Sequence, residues 1–153
     1  MDRLFRGTTQ LTSALQPLVQ ATEQTLELEE ATRRRTVWRL DAGGGSVAEV
    51  HWLLERGSHV HGKDYASTRA QTLAASVTAW VDDPRRRERQ VGWVTMAPTV
   101  YSLPVRRVAV RYRKKNGQWG VGVLISTLSP HEVIALTQQP VDRNNDPTAI
   151  LLA

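Results

Sequence analysis

The sequence contains no cysteine, and this absence excludes several kinds of site at once. A chain without thiols forms no disulfide, no cysteine-ligated metal site and no covalent cysteine intermediate. Long hydrophobic runs are absent too, because charged residues or glycines interrupt every apolar stretch before the roughly 20 residues that a membrane-spanning helix needs. Residues 1–7 also lack the apolar centre of a secretory signal peptide. We therefore expect no membrane span and a cytoplasmic location.

Lysine is scarce, since only Lys63, Lys114 and Lys115 contribute to the 20 basic residues and the others are arginines. The 20 basic residues exceed the 15 acidic ones, which gives a net charge of +5 and an isoelectric point near 10.2. Arginine binds phosphate with two parallel hydrogen bonds, and a basic excess attracts polyanions. Many small bacterial proteins are arginine-rich for reasons of genome composition, so a nucleic-acid partner is one of two interpretations.

The periodicity of the apolar residues predicts an α/β fold made of four successive segments. Residues 1–35 form an N-terminal helical segment, with one long helix expected over about residues 11–35. Residues 36–81 predict a strand–helix–strand–helix core piece, residues 82–128 an antiparallel β segment, and residues 129–153 C-terminal helices. The length of 153 residues fits one domain with one core.

A pair of parallel strands is predicted on either side of a short helix. Residues 36–40 are rich in β-branched and aromatic side chains and lead directly into Asp41, and residues 58–63 predict a second strand. Between the strands, Ser46 and Glu49 have the spacing of a capping box, in which each side chain bonds the other residue's backbone N–H. Two strands joined by a helix in this way are predicted to be parallel, with a right-handed crossover.

The second half of the chain predicts a β-hairpin with one basic face. Asn116 and Gly117 favour a type I′ turn, because both tolerate positive φ angles. The alternation of the preceding strand separates two sets of side chains, Val108, Val110 and Tyr112 on one face and Arg107, Arg111 and Arg113 on the other.

The connecting segments are predicted from local patterns. A helix that starts at Ser67 is expected to bury an apolar stripe that ends with Val77 and Val81. The charged stretch over residues 82–89 predicts a solvated loop. Asp146 and Pro147 predict the start of a last helix, because aspartate caps a helix and proline fits its first turn.

Acidic residues at the ends of the two predicted parallel strands are the first candidates for chemistry. Ligands of parallel sheets gather beyond the carboxyl ends of the strands, where Asp41 and Asp64 are expected. Two such carboxylates could share a Mg²⁺ ion, although a turn residue would fit Asp41 as well and a structural role fits Asp64 better. Residues 43–45 are glycines that could bind an anion, but they lack the features of a P-loop. Three of the four histidines, His51, His59 and His61, lie close in sequence but do not form a metal-binding motif.

The motif Arg39-Leu40-Asp41-Ala42-Gly43-Gly44-Gly45 resembles one in DDE-type transposases of bacterial insertion sequences, which have an RNase H-like catalytic domain. Residues 36–65 resemble the region around the second catalytic aspartate of these enzymes, including the stretches 52–57 and 63–65. The later β-rich part resembles the insertion that precedes their final glutamate. The similarity extends from about residue 8 onward, but relatives often carry an aromatic residue in place of Gly44.

The resemblance implies a partial RNase H-like core with a β-rich insertion, in the cytoplasm of a bacterium. It makes Asp41 the second of three carboxylates that bind two Mg²⁺ ions in the intact enzyme, which cuts DNA ends and joins them to a target. The first carboxylate would lie before Met1 and the glutamate after Ala153, so we expect a fragment that is inactive alone and binds no Mg²⁺. A partial core would also leave an apolar face uncovered, through which the chain is expected to self-associate.

Two alternatives to a transposase fragment stay open. The first is a small nucleic-acid-binding module without catalysis, which would bind DNA or RNA in a salt-dependent manner. The second is a nucleotide- or anion-binding protein built on the glycine turn. The residues expected to contact nucleic acid are Lys63, Arg107, Arg111, Arg113, Lys114 and Lys115.

Overall fold

The computed structural model describes residues 11–41, 46–64, 67–96, 101–137 and 147–152. Within these residues the elements in chain order are α1 (Leu11–Thr25), α2 (Glu30–Arg33), β1 (Val37–Leu40), α3 (Val47–Glu55), β2 (His59–Lys63), α4 (Ser67–Ala75), β3 (Val81–Asp82), β4 (Arg89–Trp93), β5 (Arg106–Arg113), β6 (Trp119–Ser126), α5 (Pro130–Thr137) and a 3-10 helix (Pro147–Leu152). The fold is therefore mixed α/β, as the sequence predicts.

All six described strands belong to one open sheet, in the order β1-β2-β6-β5-β4-β3. β1 and β2 are parallel, with Leu40 opposite Gly62, which confirms the predicted strand–helix–strand unit. Every other pair is antiparallel, including β2 with β6, where Lys63 lies opposite Leu124. The strands before and after the predicted segment boundary at residue 82 thus lie in a single sheet.

Three helices cover one face of this sheet, hereafter the three-helix face. The cluster under α1 and α3 consists of Leu15, Val19, Leu40, Val50, Leu53, Leu54, Val60 and Ile125. The cluster under α4 consists of Ala70, Leu73, Ala74, Ala109 and Val123. The two clusters hold the apolar faces of all three helices against the strands.

The opposite face of the sheet, hereafter the groove face, carries α5 and the 3-10 helix. Its cluster consists of Val91, Val108, Leu128, Val133 and Ile150. Because neighbouring residues of a strand point to opposite sides, Val108 and Ala109 of β5 belong to different clusters. No helix in the described part of the chain is long and apolar enough to cross a bilayer.

The helix between the parallel strands begins as predicted. The Ser46 hydroxyl accepts a hydrogen bond from the Glu49 N–H at 3.3 Å, and the Glu49 carboxylate accepts one from the Ser46 N–H at 3.1 Å. After the helix, Gly57 adopts a φ of 81°, a left-handed conformation that glycine reaches without steric cost. Local capping signals therefore fix both ends of α3.

The long N-terminal helix predicted over residues 11–35 is wrong, because the structure divides it into α1 and α2. The Leu28 N–H donates to the Glu23 carbonyl at 2.9 Å, and the Glu27 N–H donates to the Gln24 carbonyl at 3.3 Å. Glu27 itself has a φ of 51°, which completes a Schellman motif at the end of α1. Glycine normally occupies this position, so the sequence gives no signal for the break.

Two further connections also differ from the prediction. Helix α4 ends at Ala75, and Val81 lies in β3 with 41% of its surface exposed. The hairpin turn is not type I′, because Gly117 has a φ of 77° whereas Asn116 has no positive φ. The Asn116 side chain instead accepts a hydrogen bond from the Gln118 N–H at 3.1 Å, which favours a turn with Gly117 alone in the left-handed region.

The C-terminal elements follow the prediction in position more closely than in type. Helix α5 starts at Pro130, where a short helix is predicted. The last element starts at Pro147 as expected, but it is a 3-10 helix and not an α-helix. Asp146 and the glycines at 43–45 lie outside the described residues.

Candidate functional site

Asp41 follows directly after β1 and is exposed at the carboxyl end of the parallel pair. Its surroundings form a cleft of about 600 Å³ on the groove face. The cleft is lined by Arg39, Leu40, Asp41, His61, Gly62, Lys63, Arg89, Leu124 and Leu151. The structure thus brings together Asp41 and Lys63, two of the residues that the sequence singles out.

Asp64, at the end of the neighbouring parallel strand, is not among the residues that line this cleft. It is 4% exposed, and its carboxylate accepts hydrogen bonds from the Arg69 Nε at 3.1 and 3.2 Å. The Arg69 Nη2 also pairs with the Asp64 Oδ1. This hydrogen bonding raises the pKa of Arg69 above its ordinary value. Asp64 therefore serves a structural ion pair and does not face a cation shared with Asp41.

Arg107, which the sequence assigns to a nucleic-acid surface, is only 7% exposed, so that assignment is corrected. Its guanidinium lies 5.2 Å from the ring centre of Tyr101, which is itself 4.9 Å from the ring of His51. Burial raises the pKa of Tyr101, and the charge of Arg107 opposes that rise. Arg107 is thus part of the packing on the three-helix face.

Arg111 also packs on the three-helix face, because two tryptophan rings contact its guanidinium. The distances are 4.2 Å to the ring of Trp80 and 4.8 Å to the ring of Trp119, and the Nε donates to the Gln90 Oε1 at 2.7 Å. Arginine stems bury readily, and the planar head stacks on aromatic rings. The arginines of the predicted basic face therefore stack on aromatic rings, with Arg107 buried and Arg111 partly buried.

The three other predicted nucleic-acid contacts lie at the end of the β5–β6 hairpin and are exposed, namely Arg113, Lys114 and Lys115. Arg113 stacks on Trp119 at 4.3 Å and donates to the Gly117 carbonyl at 2.6 Å. Lys114 and Lys115 are in the turn, and neither lines a cleft with Asp41 or Lys63. These residues form a basic tip at the end of the hairpin, which adjoins Arg111 through the shared Trp119 ring.

A second cleft, of about 520 Å³, adjoins the first on the groove face. The two clefts share Lys63, Arg89, Leu124 and Leu151, so they form one continuous groove that runs from Asp41 past Lys63 to Tyr112. Neighbouring strands lie roughly 4.8 Å apart, and three strand spacings separate Asp41 from Tyr112, which makes the groove roughly 15 Å wide across the sheet.

The second cleft has a strongly positive lining. Among the described residues that line it, five are cationic and none is acidic: Lys63, Arg86, Arg87, Arg89 and Arg113. Two of these have other contacts, since Arg89 pairs with Asp83 and Arg113 stacks on Trp119. The sequence pattern did not indicate Arg86, Arg87 or Arg89, because these arginines belong to the charged stretch interpreted as a solvated loop.

The charged loop is in fact organised around a buried carboxylate. Asp83 is 4% exposed and pairs with both Arg85 and Arg89. Burial alone would raise the pKa of Asp83, but hydrogen bonds from Arg85 and Arg89 and the charge of Arg89 outweigh it and lower that pKa. The prediction of a solvated loop is therefore right for the exposed residues 84–88 and wrong for Asp83, whose ion pairs hold Arg86 and Arg87 at the rim of the groove.

His61 is the buried titratable group of the groove. It is 5% exposed, and its Nδ1 has no hydrogen-bond partner among the described residues. Burial, together with the positive charge of Arg39, lowers the pKa of His61 to about 4. The imidazole is therefore neutral at pH 7 and adds no charge to the groove there.

The groove can accept a polyanion along its basic part, while Asp41 supplies one carboxylate at its end. Within the described ranges, no group of three or more histidine, aspartate or glutamate side chains is placed to hold a metal ion. Comparison of the chain with protein-family models, with curated proteins and with solved structures finds no match.

Proposed function

We propose that this chain belongs to the RNase H-like catalytic domain of a DDE-type transposase, and that its groove receives DNA. The observation that carries the proposal is the position of Asp41 at the carboxyl end of β1, in a parallel β1–α3–β2 unit, opening into a cleft with Lys63. Ligands of parallel sheets bind at this edge. The motif that resembles the second-aspartate region of transposases places its aspartate there as well.

The described residues do not by themselves fit a Mg²⁺ ion. Mg²⁺ prefers six oxygen ligands, and in nucleic-acid enzymes one or two carboxylates act together with substrate phosphates. Among the described residues that line the cleft, Asp41 is the only one with a carboxylate. The carboxylate of Asp64 forms an ion pair with Arg69. A DDE site needs two further carboxylates, so we propose that the chain binds DNA without cutting it.

A second candidate function is nucleic-acid binding with no link to transposition. The positive lining of the second cleft favours it independently of Asp41, because no acidic residue in the described part of the chain lines that cleft with Lys63, Arg86 and Arg87. This candidate places the nucleic acid in the groove and not on Arg107 and Arg111. It differs from the first in predicting that Asp41 has no part in binding.

The replacement of Lys63 by glutamine is expected to weaken binding to duplex DNA roughly five-fold and to lower the salt dependence by about one phosphate contact. Asp41→Asn is expected to tighten binding roughly three-fold without Mg²⁺, because a carboxylate beside the backbone repels phosphate. Both effects can be measured by fluorescence anisotropy of a labelled duplex across a series of salt concentrations.

A matched control for these variants is Arg34→Gln. Arg34 is an exposed arginine that directly follows α2, pairs with Glu30 and lines neither cleft. If Lys63→Gln and Arg34→Gln weaken binding equally, the groove is not the DNA site. If Asp41→Asn leaves the affinity unchanged while Lys63→Gln lowers it, the second candidate function stands and the transposase assignment loses its support.

The purified chain is expected not to nick supercoiled plasmid DNA in Mg²⁺, because one carboxylate does not clamp the attacking and leaving oxygens of a phosphodiester. Gel analysis of the plasmid over several hours provides the measurement, with Asp41→Ala as the comparison for trace nuclease. Nicking by the wild-type chain that Asp41→Ala abolishes would contradict the proposal that the chain is inactive alone.

A further inference from the structure

Two glycines of β6 lie beneath side chains that line the second cleft, and one of them, Gly122, lines the cleft itself. Gly120 lies opposite Tyr112 on β5, and a Cβ atom at position 120 would come within 2.5 Å of the tyrosine Cζ. Gly122 lies beneath the stem of Lys63, whose Cε would be 3.7 Å from a Cβ at position 122. Because these glycines have no side chains, Tyr112 of β5 and Lys63 of β2 can both lie across β6 on the groove face.

Tyr112 is an exposed aromatic ring with cations around it. It is 46% exposed, and Arg89 lies opposite it on β4. Arg86 and Arg87 line the same cleft, and neither forms an ion pair with another described residue. An exposed ring beside guanidinium groups that form no ion pair with the described residues is a combination with which proteins bind an unpaired base and its phosphate.

We infer that the second cleft is a subsite for one unpaired nucleotide. The base stacks on Tyr112, and Arg86, Arg87 and Lys63 bind the phosphates on either side of it. The cleft volume of about 520 Å³ fits a ligand of this size. The inference deepens the proposed function and rests on it for the source of the nucleotide, which is a DNA strand lying in the same groove.

The position of the ring favours an unpaired base over a paired one. Tyr112 packs against Gly120 and lines the cleft, so a base has to stack on the exposed part of its ring. A base in a duplex is stacked between its neighbours and has to leave the helix to do so. Stacking on an aromatic ring is tolerant of sequence, because every base has a π face.

The test compares two labelled single strands of equal length, a twelve-residue oligothymidine and an abasic strand with the same phosphates. Fluorescence anisotropy is expected to show that the wild-type chain binds the base-bearing strand roughly ten-fold more tightly. Tyr112→Ala is expected to remove most of that difference, whereas Tyr112→Phe keeps it. Gly120→Ala is expected to act like Tyr112→Ala, because the added methyl group displaces the ring.

A double variant, Arg86→Gln with Arg87→Gln, is expected to weaken the binding of both strands. The control variant Arg34→Gln is expected to bind both strands as tightly as the wild type does. Competition with thymidine triphosphate identifies the source of the nucleotide. A free nucleotide that competes as well as the strand assigns the cleft to mononucleotides, while a strand that competes far better assigns it to single-stranded DNA.

Equal affinity of the wild-type chain for the base-bearing and abasic strands would overturn the subsite, even if duplex binding still depends on Lys63. A base-dependent difference that survives in Tyr112→Ala would overturn it as well. The proposed function fails separately, if the affinity for duplex DNA does not change when Asp41 or Lys63 is replaced. The two failures are distinguishable. The subsite is tested by the difference in affinity between base-bearing and abasic strands, whereas the proposed function is tested by the effect of the Asp41 and Lys63 variants on duplex binding.

Discussion

Replacing Asp64 with alanine is expected to lower the free energy of unfolding by about 3 kcal/mol, because it leaves the Arg69 guanidinium without its buried partner. The side chain of Asp64 is 3% exposed and that of Arg69 29%, so the pair is only weakly screened by solvent. Replacing the exposed Asp41 is expected to change stability by less than about 0.5 kcal/mol. Urea denaturation of the three proteins gives both values.

The double variant Asp64→Leu with Arg69→Met provides the control for this result. When both charges are replaced by apolar side chains, much of the lost stability is expected to return, because no uncompensated charge is left at the site. Suppose instead that Asp64→Ala is as stable as the wild type but binds DNA differently. Asp64 would then act in the groove, and the structural assignment made from its contacts with Arg69 would be wrong.

The contrast between the two aspartates illustrates what local sequence can predict. The capping box at Ser46 and Glu49, the glycine at 57 and the apolar run into Asp41 are all encoded within a few residues, so β1, α3 and β2 follow from the pattern. The ion pair of Asp64 depends on Arg69, which lies on α4, and the position of α4 is set by its packing on β6. Both aspartates directly follow parallel strands, and only the tertiary arrangement gives them different surroundings.

The single sheet could not be predicted for a related reason. β2 and β6 pair through residues such as His61 and Ser126, which are far apart in the sequence. Periodicity identifies each strand and its two faces, but it does not name the neighbouring strand. The division at residue 82 therefore followed a change of pattern within the chain and not a boundary within the sheet.

The same limit explains why the pattern of β5 does not show which of its two faces borders the groove. The alternation of Arg107 and Arg111 with the valines predicts the two faces of β5 correctly, but it also predicts that the arginines lie on the solvent side. In the structure Trp80, Trp119 and Tyr101 stack on these arginines, while the groove lies on the side of Tyr112. Exposure depends on which helices cover each face, and that coverage is not encoded in the strand.

His61 links the stability of the groove to pH. Burial holds its pKa at about 4, below the ordinary value of 6.5, so the unfolded chain binds a proton more readily than the folded chain. His61 therefore contributes stability that is complete above pH 6.5 and is lost as the pH falls towards 4. Arg39 and Lys63 line the same cleft and oppose protonation, whereas Asp41 favours it.

The wild-type chain is expected to lose about 3 kcal/mol of stability between pH 7 and pH 4 through His61, because each pH unit corresponds to about 1.36 kcal/mol. His61→Leu replaces the imidazole with an apolar group and is expected to remove most of that loss. Urea denaturation at half-unit steps of pH gives the two profiles. Asp83 and Glu132 have lowered pKa values, so their contributions disappear only below about pH 4.

The exposed His131 provides the matched control, since His131→Gln is expected to keep the wild-type pH profile. If His61→Leu loses as much stability as the wild type between pH 6.5 and pH 4.5, another group accounts for the acid sensitivity. The imidazole would then be able to take up a proton within the folded groove. In that case DNA binding should strengthen over the same pH range, because His61 would add a positive charge between Arg39 and Lys63.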